Sequence, residues 1–219
     1  MKLIIFDIDG TILDSVNADD DCFIQTFRDL YEIDLSNGNW NDFEHVTDLG
    51  LTREIFQKQL KRLPNEQDIS RTKTHFKNLL EKRMHEFTEI NGALDFIRFL
   101  SEKNDIELGF ATGGWKETAE LKCTSIGLNL NDFIFKSSND HFDRANIIQQ
   151  VATTASNKHS NRFDSITYFG DGLWDYKTTQ QLGIDFIGVD VKNNDRLKNA
   201  GALNVLSDYS DPEKILTLI

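Results

Sequence analysis

A short apolar run that ends in two carboxylates constrains the fold of this chain more than any other feature. The run Lys2-Leu3-Ile4-Ile5 has strand length and β-branched residues, and Asp7-Ile8-Asp9-Gly10-Thr11 follows it after Phe6. An apolar run bounded by a glycine turn is typical of a buried strand in a parallel sheet. Ligands of open parallel sheets bind outside the carboxyl ends of the strands. Asp7 and Asp9 are therefore predicted to leave the sheet at its binding edge.

The second half of the chain alternates between short apolar strands and helices. After a helix that begins near Asn91-Gly92, strands are predicted at residues 107–112, 133–135, 165–169 and 186–189, with helices at residues 115–126, 143–155 and 174–182. Strands that alternate with helices imply right-handed βαβ crossovers and a parallel sheet. The predicted fold class is α/β, with a Rossmann-like parallel sheet and helices on both of its faces.

The segment between the first strand and this alternating part has a helical pattern. Apolar residues recur at spacings of three and four around Phe23, within residues 51–63 and within residues 71–87. A segment of about seventy residues is too long for a loop. We predict that residues 16–88 form an inserted all-helical cap domain and that residues 1–15 and 89–219 form the α/β core. A cap beside the first strand can close over a site and exclude water.

The acidic composition limits the partners. The chain has 24 Lys and Arg against 36 Asp and Glu, a net charge of -12, which argues against nucleic acid or an anionic membrane as the main partner. No apolar run has membrane-spanning length, and the N-terminus has no secretory pattern. Cys22 and Cys123 are far apart and are expected to be reduced thiols. We expect a cytoplasmic protein, with monomer and homodimer both left open.

Polar groups follow three of the predicted strands. Asp7 and Asp9 follow the first, Thr112-Gly113-Gly114 the second, and the acidic segment 170–175 the fourth, while Arg144 begins the helix before that fourth strand. The carboxyl ends of parallel strands lie at one edge of a sheet, so these groups are predicted to converge. A pair of carboxylates there can attack phosphorus, transfer a proton and attract a divalent cation.

In these motifs the chain resembles the haloacid dehalogenase-like superfamily of phosphohydrolases. Asp7-Ile8-Asp9-Gly10-Thr11 matches the DxDGT signature of that family, Phe110-Ala111-Thr112-Gly113-Gly114 its strand-threonine motif, and Gly170-Asp171-Gly172-Leu173-Trp174-Asp175 its acidic motif. The order and spacing of the motifs are specific, and the resemblance covers nearly the whole chain. The helical segment is similar in size and position to that of the branch that includes phosphoglycolate phosphatases and β-phosphoglucomutases.

The resemblance implies catalytic and metal-binding roles. Asp7 would be the nucleophile that forms an aspartyl-phosphate, and Asp9 would protonate the leaving oxygen and later deprotonate water. The implied cofactor is Mg²⁺, held by Asp7, the backbone carbonyl of Asp9 and Asp171. Asp175 would complete or orient this metal site.

The resemblance also implies a phosphate-binding set made of Gly10, Thr112, Gly113 and Arg144. Thr112 is also placed to cap the following helix, and both roles can hold at once. The family usually has a lysine as its cation. Arg144 is the best-placed cation here, and Lys136 is the alternative because it follows a predicted strand.

The implied function is a Mg²⁺-dependent phosphatase that acts on a small phosphorylated metabolite. A β-phosphoglucomutase-like mutase would use the same core, and a non-catalytic phospho-ligand binding protein stays open. A phosphonate hydrolase would need a cap lysine, for which Lys58, Lys61 and Lys73 are candidates. At residues 47–51, a substrate-facing loop and a helix start capped by Thr52 are both compatible with the sequence.

Overall fold

A computed structural model of the chain describes residues 1–160 and 163–219 and has a six-stranded parallel sheet at its centre. The strands are β1 (Lys2–Phe6), β2 (Leu13–Asp14), β3 (Thr88–Glu89), β4 (Ile106–Ala111), β5 (Ile134–Lys136), β6 (Ser165–Gly170), β7 (Asp185–Val189) and β8 (Asn204–Leu206). The order in the sheet is β5-β4-β1-β6-β7-β8, and β2 pairs with β3 in a separate antiparallel pair.

Helices cover both faces of the sheet. They are α1 (Val16–Tyr31), α2 (Asp48–Ile55), α3 (Glu66–Glu81), α4 (Ala93–Ser101), α5 (Lys116–Ser125), α6 (Arg144–His159), α7 (Leu173–Leu182), α8 (Arg196–Asn199) and α9 (Pro212–Leu216). Side chains of α4, α5 and α9 belong to the apolar cluster on one face, and those of α6, α7 and α8 to the cluster on the other. Among the described residues, no helix is both long and apolar enough to cross a bilayer.

The central strand β1 is buried on both faces. Leu3, Ile4, Ile5 and Phe6 are each 0% exposed, and successive side chains of a strand point to opposite faces. Ile4 and Phe6 accordingly pack in one apolar cluster, and Leu3 and Ile5 in the other. Each such burial contributes about 1.5–3 kcal/mol. The strand ends where the first carboxylate, Asp7, follows this run.

The predicted fold class is confirmed, and every strand predicted from the sequence is present. The sheet also contains β8, which no prediction covered because its three residues include the polar Asn204 and are too few to show alternation. The β2–β3 pair was likewise not predicted. It joins the two points at which the chain enters and leaves the helical segment.

An aromatic cluster holds the helical segment together and joins it to the sheet. Phe23 of α1 meets Phe76 of α3 edge-on, with ring centroids 5.5 Å apart. Trp115, which precedes α5, lies 6.4 Å from Phe23 and 6.0 Å from Phe76 between ring centroids. The helical core is therefore continuous with the apolar cluster on one face of the sheet.

Helix α3 differs from the helix predicted at residues 71–87. It begins at Glu66 because Asn65 and Asp68 form a capping box, in which each side chain accepts the backbone N–H of the other residue. The helix ends at Glu81, so the prediction was wrong to place Phe87 on it.

Helix α2 begins earlier than predicted and is shorter. It starts at Asp48, where the Thr47 hydroxyl accepts the Gly50 N–H at 3.0 Å, so the cap is Thr47 and not Thr52. A single π-helical turn at Phe56–Leu60 replaces the rest of the helix predicted for residues 51–63.

Candidate active site

The carboxyl ends of three adjacent strands bring the candidate residues together. Asp7 follows β1, Thr112 follows β4 and Asp171 follows β6, and β1 lies between the other two strands. The Asp7 N–H donates to the Phe169 carbonyl at 2.9 Å, which extends the β1–β6 pairing to Asp7 itself. Asp7 is 4% exposed and Thr112 1%. Asp7, Thr112 and Asp171 line a cavity of about 490 Å³ between the sheet edge and the helical segment.

Three aspartates form a compact group at this edge. Carboxylate oxygens of Asp7, Asp171 and Asp175 lie within 4.8 Å of one another. Asp175 sits in the first turn of α7, where it accepts the Gly172 N–H at 2.9 Å. Asp175 therefore lies in the first turn of α7 and also beside Asp7 and Asp171.

The aspartate group fits a divalent cation. Burial, and then the charge of Asp175, raise the pKa of Asp7 well above its usual range and the pKa of Asp171 to about 8. Burial also raises the pKa of Asp175, against the lowering effect of Arg144. Arg144 contacts Asp7 and Asp175, and the Arg196 guanidinium lies 3.9 Å from Asp171. Two positive charges do not compensate three carboxylates in this environment. Oxygen donors of this kind suit a hard cation such as Mg²⁺.

Gly10 permits the close approach of the loop after β1 to Asp171. Its φ is +74°, and a Cβ atom there would lie 2.4 Å from Asp171 Oδ2. Only glycine meets both conditions without strain. The glycine of the DxDGT motif is thus required by the geometry of this turn.

Arg144 is the cation that faces Asp7. It is the first residue of α6 and is 9% exposed. Its Nη1 lies 2.9 Å from Asp175 Oδ1 and 3.3 Å from Asp7 Oδ1, and its Nη2 donates to the Val46 carbonyl at 2.9 Å. Lys136, the alternative cation, instead pairs with Asp140 at 3.1 Å.

Thr112 and Gly113 form a tight turn above the end of β4. The Thr112 hydroxyl accepts the Gly114 N–H at 3.1 Å, so it shapes the turn and does not cap α5, whose cap residue is Trp115. At Gly113, a Cβ atom would lie 2.3 Å from Arg144 Nη2. The absence of a side chain on Gly113 is what lets the guanidinium reach this turn.

The Asp9 carboxylate lies apart from the aspartate group. It accepts a hydrogen bond from Ser15, and both of its oxygens contact Lys122 Nζ, at 2.6 and 2.7 Å. Lys122 also contacts Asp19 of α1. Although burial alone would lower the pKa of Lys122, the charges of Asp19 and Asp9 raise it above its usual range. Burial raises the pKa of Asp19 to about 7.

Lys122 was missed by the sequence reasoning, although a signal for it exists. On α5 it lies four residues after Thr118 and three after Ala119, and both of these are buried. Residues at these spacings share one helix face, and that face is buried. A lysine on a buried face needs a carboxylate partner, but nothing in the chain points to Asp9 as that partner.

The start of α2 rests on the loops of the sheet edge. The Thr47 hydroxyl donates to the Phe142 carbonyl at 2.6 Å, and the Asp48 N–H donates to the Gly113 carbonyl at 2.8 Å. The Asp48 carboxylate accepts the Trp115 N–H at 2.7 Å. The segment at residues 47–51 is therefore the start of a helix, capped by Thr47 and not by Thr52. Thr47, Asp48 and Leu51 also line the cavity.

A buried aspartate group and an arginine at the carboxyl edge of a parallel sheet define an enzyme-type site. The sequence profile of the haloacid dehalogenase-like hydrolases matches residues 4–189. The chain belongs to this family, which confirms the resemblance found in the motifs and makes the protein a hydrolase. No significant match is found among curated proteins.

Several solved structures share the fold of this chain. A hydrolase from Pseudomonas syringae is 21% identical, with a TM-score of 0.78 over 100% of this chain and 99% of the other. A predicted phosphoglycolate phosphatase from Haemophilus somnus is 15% identical, with a TM-score of 0.70 over 99% and 98%. CbbY from Rhodobacter sphaeroides, in complex with phosphate, is 17% identical, with a TM-score of 0.66 over 95% of each chain.

Proposed function

We propose that this hydrolase is a Mg²⁺-dependent phosphatase that acts on a small phosphorylated metabolite through an aspartyl-phosphate. The observation that carries the proposal is the position of Asp7, which faces both the Arg144 guanidinium and the carboxylates of Asp171 and Asp175. A nucleophilic carboxylate needs a neighbouring cation to approach an anionic phosphoryl group. Two of the similar structures, CbbY with bound phosphate and the predicted phosphoglycolate phosphatase, agree with this choice of substrate group.

Two displacements at phosphorus account for hydrolysis. In the first, an Asp7 oxygen attacks phosphorus, the bond from phosphorus to the ester oxygen breaks, and Asp9, protonated at the start of the cycle, gives its proton to the leaving alcohol. In the second, water attacks phosphorus, the bond to the Asp7 oxygen breaks, and Asp9 takes the proton from water. Inorganic phosphate leaves, and both aspartates return to their starting states.

The remaining residues bind the phosphoryl group and the cation. The Thr112 hydroxyl, the backbone N–H groups near Gly10 and Gly113, and the Arg144 guanidinium would hold the phosphoryl oxygens. Asp7, Asp171 and the Asp9 carbonyl would hold Mg²⁺, which supplies positive charge against the charge that develops on the phosphoryl oxygens.

We further propose that residues 16–88 act as a cap domain over a core formed by residues 1–15 and 89–219. The support for this division is the β2–β3 pair at the junction and the contacts of Thr47 and Asp48 with the sheet-edge loops. A cap in this position excludes water while the first displacement occurs.

Phosphate release from p-nitrophenyl phosphate and from a panel of phosphorylated metabolites tests the function. We expect turnover that depends on Mg²⁺, that stops with EDTA, and that falls by at least about 10³-fold in Asp7→Asn, because the amide is a poor nucleophile. The exposed Asp42 is the matched control, and Asp42→Asn should retain full turnover. Turnover that persists in EDTA or in Asp7→Asn would exclude the mechanism.

A further inference from the structure

The basic side chains that line the cavity beside Asp7 all come from one part of the chain. Among the described residues, the basic side chains that line it are Arg144, Lys192 and Arg196, and all three follow β5 in the chain. The wall formed by residues 16–51, here called the helical wall, has carboxylates and no basic side chain. At Val46 and Asp48 this wall adjoins the proposed phosphoryl-binding residues Arg144 and Gly113. Asp20 and Trp40 of the same wall line the rest of the shared cavity, where the alcohol part of a bound phosphate ester would lie.

The carboxylates of the helical wall are Asp19, Asp20 and Asp48, and only Asp19 has a cation beside it. That cation is Lys122, which Asp9 shares. Asp20 accepts the Trp40 indole N–H at 3.0 Å. The charges of Asp20 and Asp48 are thus left without a basic partner among the described residues.

Asp48 supplies a second and independent sign of a ligand. It is 7% exposed, yet only Oδ2 accepts a hydrogen bond from the described part of the chain, that of Trp115. Its other oxygen has no partner there, and Asp48 lines the cavity. Burial and the charge of Asp19 raise the pKa of Asp48 well above its usual range. A positive group in the cavity would stabilise the ionised carboxylate, and a second anion would destabilise it further.

An aromatic side chain completes the helical wall. The Trp40 indole lines the cavity beside Asp20 and packs edge-on against Phe23, with ring centroids 5.8 Å apart. Indole faces attract cations, and a carboxylate beside an aromatic ring is a common environment for an ammonium group. Neither the Trp40 indole nor the Asp20 carboxylate favours the binding of a carboxylate or a second phosphate.

We propose that the site selects phosphate monoesters whose alcohol carries no second anionic group, and that it prefers an alcohol with an ammonium group. The inference rests on the proposed phosphatase function and assigns Asp20 and Asp48 as specificity-determining residues. It also disfavours a bisphosphate mutase, because a second phosphate would lie against the helical wall.

Three esters with two-carbon alcohols of nearly equal size test the proposal: 2-aminoethyl phosphate, 2-hydroxyethyl phosphate and phosphoglycolate. Their alcohol parts are cationic, neutral and anionic. With Mg²⁺ present, we expect kcat/KM to fall in that order, with at least about a 100-fold difference between the first and the last. If turnover is too slow to rank, the same order is expected in competitive inhibition of p-nitrophenyl phosphate hydrolysis.

Asp20→Asn and Asp48→Asn test the residues. Each variant should reduce the ratio of kcat/KM between the cationic and anionic esters by about tenfold or more, mainly through KM. Asp42→Asn, outside the cavity, should keep the wild-type ratio.

Equal use of the three esters, a preference for phosphoglycolate, or unchanged ratios in both variants would overturn the inference while the phosphatase function stands. The absence of any Mg²⁺-dependent hydrolysis of p-nitrophenyl phosphate would instead overturn the proposed function, and the inference with it.

Discussion

Lys122 Nζ lies 2.6 Å from Asp9 Oδ1, and this buried ion pair joins the loop after β1 to helix α5. Because the same ammonium also contacts Asp19, it connects the loop after β1 and helix α5 to helix α1. The Lys122 side chain is 0% exposed. A single cation therefore balances two carboxylates at the boundary between the sheet edge and the helical segment.

Removal of this cation is expected to destabilise the fold. Lys122→Met leaves the largely buried carboxylates of Asp9 and Asp19 without a cation, which costs about 3–5 kcal/mol. Urea unfolding measures the effect, and adding Asp19→Asn to the variant should restore part of the loss. Lys116 is the matched control on the same helix, because it is exposed and its nearest carboxylate, on Glu120, is 3.6 Å away. Lys116→Met should change stability by less than about 1 kcal/mol, and equal effects of the two lysines would contradict this account.

The sequence predicted the positions of the candidate residues that directly follow strands. The apolar run before Asp7, the strand before Thr112 and the strand before Asp171 each end at a polar residue, and the parallel sheet brings those ends to one edge. The fold class and the convergence of Asp7, Thr112 and Asp171 could therefore be predicted from periodicity and motifs.

The sequence could not predict contacts that depend on how helices dock. Lys122 meets Asp9 across 113 residues of sequence, and no local spacing connects them. The π-helical turn at Phe56–Leu60 and the three-residue strand β8 were also missed. In both places tertiary packing decides the local structure, and intrinsic preference is too weak to indicate it.

Two adjacent glycines are expected to respond differently to alanine. At Gly113 a Cβ atom would lie 2.3 Å from Arg144 Nη2 and 3.0 Å from the Val46 carbonyl oxygen, whereas at Gly114 the nearest atom is 3.5 Å away. Gly113→Ala should therefore destabilise the protein by about 1–3 kcal/mol and lower turnover by displacing the guanidinium. Gly114→Ala should change stability by less than about 0.5 kcal/mol. Thermal melting and phosphate release measure both effects, and a Gly113→Ala protein with wild-type stability and turnover would refute the assigned contact.

A charge-conserving substitution tests whether Arg144 or Lys136 is the active-site cation. Arg144→Lys keeps one positive charge but cannot reach Asp7, Asp175 and the Val46 carbonyl together, so we expect turnover to fall by about 10–100-fold. Arg144→Ala should in addition lose about 3–5 kcal/mol of stability, because Asp7 and Asp175 lose their cation. Lys136→Ala removes only a partly exposed pair with Asp140, and both measurements should stay near wild type. A larger loss of turnover in Lys136→Ala than in Arg144→Lys would reassign the active-site cation.

The pKa of Asp20 predicts how stability depends on pH. Burial raises this pKa from 3.8 to about 6 in the folded protein, so between these values the folded state binds more protons than the unfolded state. The contribution of Asp20 to the free energy of unfolding therefore falls as pH rises from 4 to about 6, and it stays low above that range.

Asp20→Asn removes this pH-dependent loss of stability, while its amide oxygen can still accept the Trp40 indole N–H. The variant should exceed wild type by about 1–3 kcal/mol at pH 7.5 and by much less at pH 4.5. Urea unfolding at both pH values measures the difference, Asp42→Asn is the control with no pH-dependent gap, and a gap of equal size at both pH values would show that Asp20 does not titrate as inferred.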